Sequence, residues 1–152
     1  MNSQQELQKK VMLAARDNGI SSILFRNAIG RKLGLSVADS ECLSFLATKE
    51  TSTPSELARY TGMTSGAATA MLDRLEKAKL ITRKPNPNDR RGSLVQISPL
   101  YGQMAGPLVA GVQKAQAELI ASYSAEELQI IADFLTRFTS NVSDQTKIIE
   151  AL

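Results

Sequence analysis

The chain has 152 residues, 43% hydrophobic and 22% charged, with a net charge of +3, one cysteine and no histidine. A single domain of this length buries roughly 70% of its unfolded surface, so a core can form without disulfides or metals. The missing histidine removes the commonest general base and metal ligand, one cysteine forbids an internal disulfide, and no apolar run approaches the ~18 residues of a membrane span.

The first ten residues, MNSQQELQKK, contain no apolar stretch, so no signal peptide is expected, and the cytoplasm is the expected compartment. Residues 5–33 carry apolar side chains at helical spacing: Leu7, Val11, Ile20, Ile23, Leu24, Ala28 and Leu33. Asn18-Gly19 interrupts that run and is a point where the helix can bend or split. Ser36 with Asp39 three residues on reads as a capping box, opening a second helix with the stripe Ala38, Cys42, Phe45 and Leu46. Cys42 in that stripe reads as packing.

Thr53-Pro54-Ser55-Glu56 starts a third helix: Thr53 caps, Pro54 suits the first turn, and Glu56 reaches back to the cap. Thr61-Gly62-Met63 stops it, and Thr64 caps a fourth helix whose inner face is Ala68, Met71, Leu72 and Leu75. Helix, short glycine turn, helix is helix-turn-helix spacing, which serves DNA binding and plain packing alike.

After Leu80 the pattern changes. Ile81-Thr82-Arg83-Lys84 and Ser93-Leu94-Val95-Gln96-Ile97 read as two strands, with Pro85-Asn86-Pro87-Asn88-Asp89 as turn material. Ser98-Pro99 opens a helix to about Ala121, with a kink expected near Gly106-Pro107. Ser124-Ala125-Glu126-Glu127 caps a last helix with the stripe Leu128, Ile131, Ala132, Leu135 and Phe138; the tail from Val142 frays or packs. The fold class is therefore mainly α: a winged helix-turn-helix with a small β-hairpin wing, flanked by N- and C-terminal helices.

Charge is concentrated in the same region. Residues 54–98 hold eight basic and four acidic groups, net +4, whereas the rest of the chain holds ten and eleven, net −1. No cofactor, no metal and no enzymatic activity are expected.

The stretch SELARYTGMTSGAATAMLDRLEKAKLITRKPNPNDRRGSLVQIS, residues 55–98, resembles the multiple-antibiotic-resistance regulator (MarR) family of winged helix-turn-helix transcription factors. The resemblance rests on the ELA helix, the DRLE element Asp73-Arg74-Leu75-Glu76, and the wing element Asp89-Arg90-Arg91 at its proper distance behind DRLE. It extends over nearly the whole chain, which divides into a winged-helix DNA-binding lobe, 36–98, and a helical dimerisation region, 1–35 and 99–152.

The resemblance implies that the second helix of the pair enters the major groove and the hairpin reaches the adjoining minor groove, which suits a long guanidinium. In the family the wing aspartate extends the arginine two residues later, which gives Asp89 as support and Arg91 as reader, with Arg90 meeting phosphate or packing on the wing. The outward positions Ser65, Gly66, Ala67, Thr69 and Ala70 are small, so the helix can sit deep and offer methyls to thymine. Arg74 reads as a phosphate contact, or as the partner of Asp73 or another nearby acid; Lys84 reads as a phosphate contact. Tyr60, Tyr101 and Tyr123 either line a ligand pocket or are partly buried structure.

The first and the last two helices carry more apolar surface than one small lobe can cover, so a two-fold homodimer is expected, with half-sites about one DNA turn, ~10 bp, apart. The expected partners are double-stranded DNA and a second copy, with no membrane. The resemblance adds a small phenolic or anionic effector that releases DNA. A winged-helix protein-interaction module is the alternative.

Overall fold

The computed structural model describes residues 3–152, apart from the side chains of Arg90 and Arg91. The described residues form α1 (Ser3–Lys32), α2 (Val37–Lys49), β1 (Thr51–Ser52), α3 (Pro54–Tyr60), α4 (Ser65–Lys77), β2 (Ile81–Asn86), β3 (Asp89–Ile97), α5 (Pro99–Ala121) and α6 (Ala125–Glu150). The chain divides into two compact units, Met1–Leu108 and Val109–Leu152. No described helix is long and apolar enough to cross a membrane.

The first unit is built around a winged helix. Its core joins Cys42, Leu43 and Leu46 of α2, Leu57 of α3, Met71, Leu72 and Leu75 of α4, Ile81 of β2 and Val95 of β3. All four residues expected on the inner face of α4 are buried. In α2, Cys42 and Leu46 are buried as expected, but Leu43 is buried too, while Ala38 and Phe45 are only half-buried. Helix and sheet both press on α2, so its buried face is wider than one stripe.

The sheet has the order β1-β3-β2, all antiparallel. The two-residue β1 pairs Thr51 with Gln96 and Ser52 with Val95, a strand too short to leave a sequence period. β2 is an edge strand, so Pro85, which has no N–H to donate, fits within it opposite Ser93. The hairpin is therefore longer than the sequence suggested, and its turn contracts to Pro87-Asn88. The register shifts between Pro85 and Asn86, which lies opposite Asp89.

α1 passes unbroken through Asn18-Gly19. A glycine inside a helix costs about 1 kcal/mol, too little to break thirty residues of continuous hydrogen bonding. Only Gly30 of α1 is buried: a Cβ there would stand 2.9 Å from the Ser40 hydroxyl of α2. The apolar residues expected along α1 are otherwise largely uncovered, Leu7 at 58% and Leu24 at 61% exposed.

In the second unit, α6 opens on the expected capping box, Ser124 with Glu127, and the tail from Val142, expected to fray or pack, is helical to Glu150 with exposed side chains. Hydrogen bonds from the Ser124 backbone and hydroxyl hold the Glu127 carboxyl below the usual carboxylate range. α6 has no buried residue; Leu128, Ile131 and Phe138 are half-covered and Leu135 is exposed. α5 extends through Pro107 to Ala121.

Candidate nucleic-acid interface

The helix-turn-helix is closed at every joint by local chemistry. At the start of α3, Thr53 Oγ1 accepts from the Glu56 N–H at 3.2 Å, and the Thr53 N–H donates to Glu56 Oε2 at 2.8 Å. Ser52 Oγ, from the buried residue of β1, donates to the same carboxylate oxygen at 2.8 Å. The Thr53 backbone bond first, then the Ser52 and Thr53 hydroxyls, hold the Glu56 carboxyl below its ordinary range. α3 ends when Gly62 takes φ +65°, with Met63 N–H on the Ala58 carbonyl and Gly62 N–H on that of Arg59. This glycine-terminated motif turns the chain sharply toward α4. Thr64 Oγ1 then accepts from the Ala67 N–H at 3.3 Å, as expected of the cap.

α4 is two-sided. Ala68, Met71, Leu72 and Leu75 face the core, while Ser65, Gly66, Ala67, Thr69 and Ala70 are all exposed, as the sequence predicts. Thr69 donates its hydroxyl back to the Ser65 carbonyl at 2.9 Å. Gly66 has open space where a Cβ would stand. The outward edge is therefore smooth, small and poor in free donors.

Two connections tie the hairpin to α4. Arg83 of β2 donates through Nη2 to Asp73 Oδ1 at 2.7 Å and through Nη1 to Glu76 Oε2 at 2.9 Å. Ser98, buried at the end of β3, donates its hydroxyl to the Lys79 carbonyl at 2.5 Å, accepts from the Tyr101 N–H at 3.2 Å, and gives its N–H to the Leu80 carbonyl at 3.0 Å. One residue, through its hydroxyl and its backbone N–H, thus closes α4, ends the wing and caps α5.

Arg74 does not pair with Asp73. Its Nη2 donates to Asp39 Oδ1, 35 residues away on α2, at 2.5 Å; the Arg74 side chain is 57% exposed and that of Asp39 only 9%. Asp73 is held by Arg83 instead. Lys84 is exposed on β2. At the tip, the Asn88 N–H donates to Asn86 Oδ1 at 3.0 Å, and a Cβ on Gly92 would stand 3.2 Å from Asp89 Oδ2. The Asp89 carboxylate therefore folds over Gly92. The side chains of Arg90 and Arg91, the expected phosphate contact and groove reader, lie outside the described residues.

Cys42 is fully buried, and burial, helped by the nearby Asp39 charge, pushes its thiol up to about 12. Tyr101 is buried and its phenol raised by desolvation. Tyr60 lies against Phe45 with ring centroids 4.2 Å apart, and Tyr123 is exposed. None of the three lines either of two clefts in the first unit, one of about 390 Å³ between Glu76, Thr82 and Leu100 and one of about 190 Å³ between Asn27, Arg31 and Ser40. The Ser98 cap on α5 follows from the sequence, whereas its bond to the Lys79 carbonyl and the ion pairs of Asp39 and Arg83 do not. In the sequence Asp39 stands only as part of a cap, and nothing in local spacing pairs residues 39 and 74.

A helix pair with a small-residue outer edge, flanked by a hairpin bolted to its second helix, defines a DNA-binding winged helix of the regulatory kind. The sequence pattern of the MarR family matches residues 33–92. The HTH-type transcriptional regulator YcgE of Bacillus subtilis, itself uncharacterized, is 32% identical over 134 residues, covering 88% of this chain and 87% of its own. The multiple antibiotic resistance protein MarR of Salmonella typhimurium is 51% identical over 47 residues, 31% of this chain and 33% of its own. A mutant MarR from E. coli, solved in complex with operator DNA, is 26% identical with a TM-score of 0.51, covering 91% of this chain and 99% of that one. The Thermotoga maritima regulator Tm0710 shares the fold at a TM-score of 0.61 and 18% identity, covering 91% and 98% of the two chains. The chain belongs to the MarR family of transcriptional regulators.

Proposed function

We propose that this protein is a cytoplasmic, sequence-specific repressor that binds a pseudo-palindromic operator as a homodimer and is released by a small phenolic or anionic ligand. The observation that carries the reading is the exposed, small-residue edge of α4 beside a hairpin fixed to it by Arg83 and Ser98. Ser65, Gly66, Thr69 and Ala70 enter the major groove; Arg74, Lys84 and Arg90 meet phosphates; Arg91 reads the minor groove with Asp89 behind it. The operator complex of the E. coli relative supports DNA as the partner. The dimerisation region is 1–35 with 99–152, and the uncovered apolar side chains of α1 and, separately, of α6 support a second copy as their cover. A ligand that prefers the wrong lobe spacing lowers operator affinity by its differential binding.

The test is enrichment of duplexes from a random pool at about 150 mM salt, where nonspecific charge contacts are weakened, paired with sedimentation at micromolar concentration. An inverted repeat with half-sites about one turn apart and a dimeric mass are expected. A monomer, or retention without any enriched sequence, overturns the reading. No retention at all turns the basic surface toward an acidic protein partner.

A further inference from the structure

We propose that Asp39, on α2, is a positioning residue for DNA binding: it grips one corner of the Arg74 guanidinium and turns the remaining N–H groups toward the DNA backbone. The proposal rests on the DNA-binding reading and adds to it a residue outside the helix-turn-helix pair.

Along α4, Gly66, Ala70 and Arg74 follow one another at i, i+4 and i+8, so Arg74 continues the outward edge. Two small residues let the helix approach closely, and the first long side chain of that row stands at its far end, where the groove gives way to backbone. A free arginine there would sample many rotamers and lose that freedom on binding. Here Nη2 is already fixed on Asp39 Oδ1 at 2.5 Å. Among the described residues Nη1 and Nε have no hydrogen-bond acceptor, and the side chain is 57% exposed. The fork can therefore serve a carboxylate with one edge and a phosphate with another, which suits a planar guanidinium and not an ammonium.

The carboxylate stays with the protein. It is 9% exposed, lies in the first turn of α2 where the helix dipole favours an anion, and would be left buried without its cation if a phosphate took Arg74 away. Arg74 therefore bridges Asp39 and DNA instead of exchanging one for the other.

This reasoning predicts a sign opposite to bulk electrostatics. Removing a negative charge near DNA should by itself tighten binding. With the positioning role, Asp39→Asn weakens binding to the selected operator about fivefold and Arg74→Ala about tenfold, while the double variant is no weaker than Arg74→Ala alone. Arg74→Ala lowers the slope of log K against log salt by about 0.9 per subunit, and Asp39→Asn lowers it only when Arg74 is present. Arg74→Lys keeps the charge and leaves α2 unaltered, so it keeps the proposal testable if Asp39→Asn does not fold; binding near that of Arg74→Ala is expected. Full-length protein is used throughout, with thermal melting of each variant. Wild-type affinity or tighter binding in Asp39→Asn, additive losses in the double variant, or wild-type binding by Arg74→Lys each overturn the proposal. Failure of the wild type to bind any duplex in the same assay overturns the DNA-binding reading with it.

Discussion

Arg83→Ala separates the stability of the wing from its affinity for DNA. Its guanidinium bridges Asp73 and Glu76 at 2.7 and 2.9 Å, but the two acids are 59% and 41% exposed. Pairs that wet contribute about 0–1 kcal/mol each, so the variant should lose roughly 1 kcal/mol of stability and melt about 2–4 °C lower. The electrostatic consequence is larger. The cluster carries −1 with Arg83 and −2 without it, on the helix proposed to face DNA. One unit charge about 8 Å from a phosphate contributes roughly 0.5 kcal/mol in water, cut about threefold by screening at 150 mM salt and less than twofold at 50 mM. Over several phosphates and two half-sites, that amounts to roughly tenfold weaker binding at 50 mM and a few-fold at 150 mM. Fluorescence anisotropy with labelled operator at both salts measures it. Adding Asp73→Asn and Glu76→Gln to the variant should return the affinity, because the unmasked carboxylates are gone. An affinity loss that ignores salt, or that survives removal of both acids, would refute the electrostatic account and leave only wing disorder.

Three further outcomes follow from particular contacts. Leu72→Ala, at a fully buried position of α4, should cost about 2–5 kcal/mol in urea unfolding; a loss below ~1 kcal/mol would mean the core closes over the gap. Gly92→Ala sets a methyl 3.2 Å from Asp89 Oδ2, so it should displace the carboxylate and weaken operator binding severalfold with little change in melting; unchanged affinity would show that Asp89 supports nothing. Cys42 should resist a thiol reagent at pH 8 in the folded protein and react fully in denaturant. Because burial raises its folded pKa from the ordinary thiol value of 9.0 to about 12, its contribution to stability is intact below pH 9 and declines as the pH climbs from there toward 12. Rapid labelling of the folded chain would contradict this burial.

Most of the scaffold was legible because it is written in short-range chemistry. Thr53, Thr64 and Ser124 each cap within three residues, Gly62 adopts the positive φ its turn requires, and the apolar positions of α4 recur at helical spacing. What escaped was longer in range or shorter in extent. β1 has two residues and exists because Val95 and Gln96 present a free edge to pair with. Pro85 looked like turn material, since its penalty inside a strand disappears only once β2 is known to lie at the edge. The exposed edge of α4 was readable from its buried face, whereas Asp39–Arg74 and Arg83–Asp73–Glu76 join residues whose proximity only the packing creates.

On the proposed DNA-binding reading, those two ion-pair systems let a donor-poor helix be placed accurately. Thr69 spends its hydroxyl on the Ser65 carbonyl, and Gly66, Ala67 and Ala70 bring no hydrogen-bonding side chain. An edge of this kind discriminates bases through fit and methyl contact, both steep functions of distance, so its value depends on how rigidly the helix is held. Asp39 anchors the outward side of α4 to α2, and Arg83 anchors the same helix to the wing. The Arg83 bonds stabilise the fold little, because both acids are exposed, whereas the Asp39 carboxylate is buried and depends on Arg74 for its counter-charge. In the proposed complex their effect is to remove a degree of freedom before DNA arrives, so that the ordering cost is met during folding rather than on binding. Loosening the Arg83 anchor should therefore blur the preference among operator sequences more than it lowers the melting temperature.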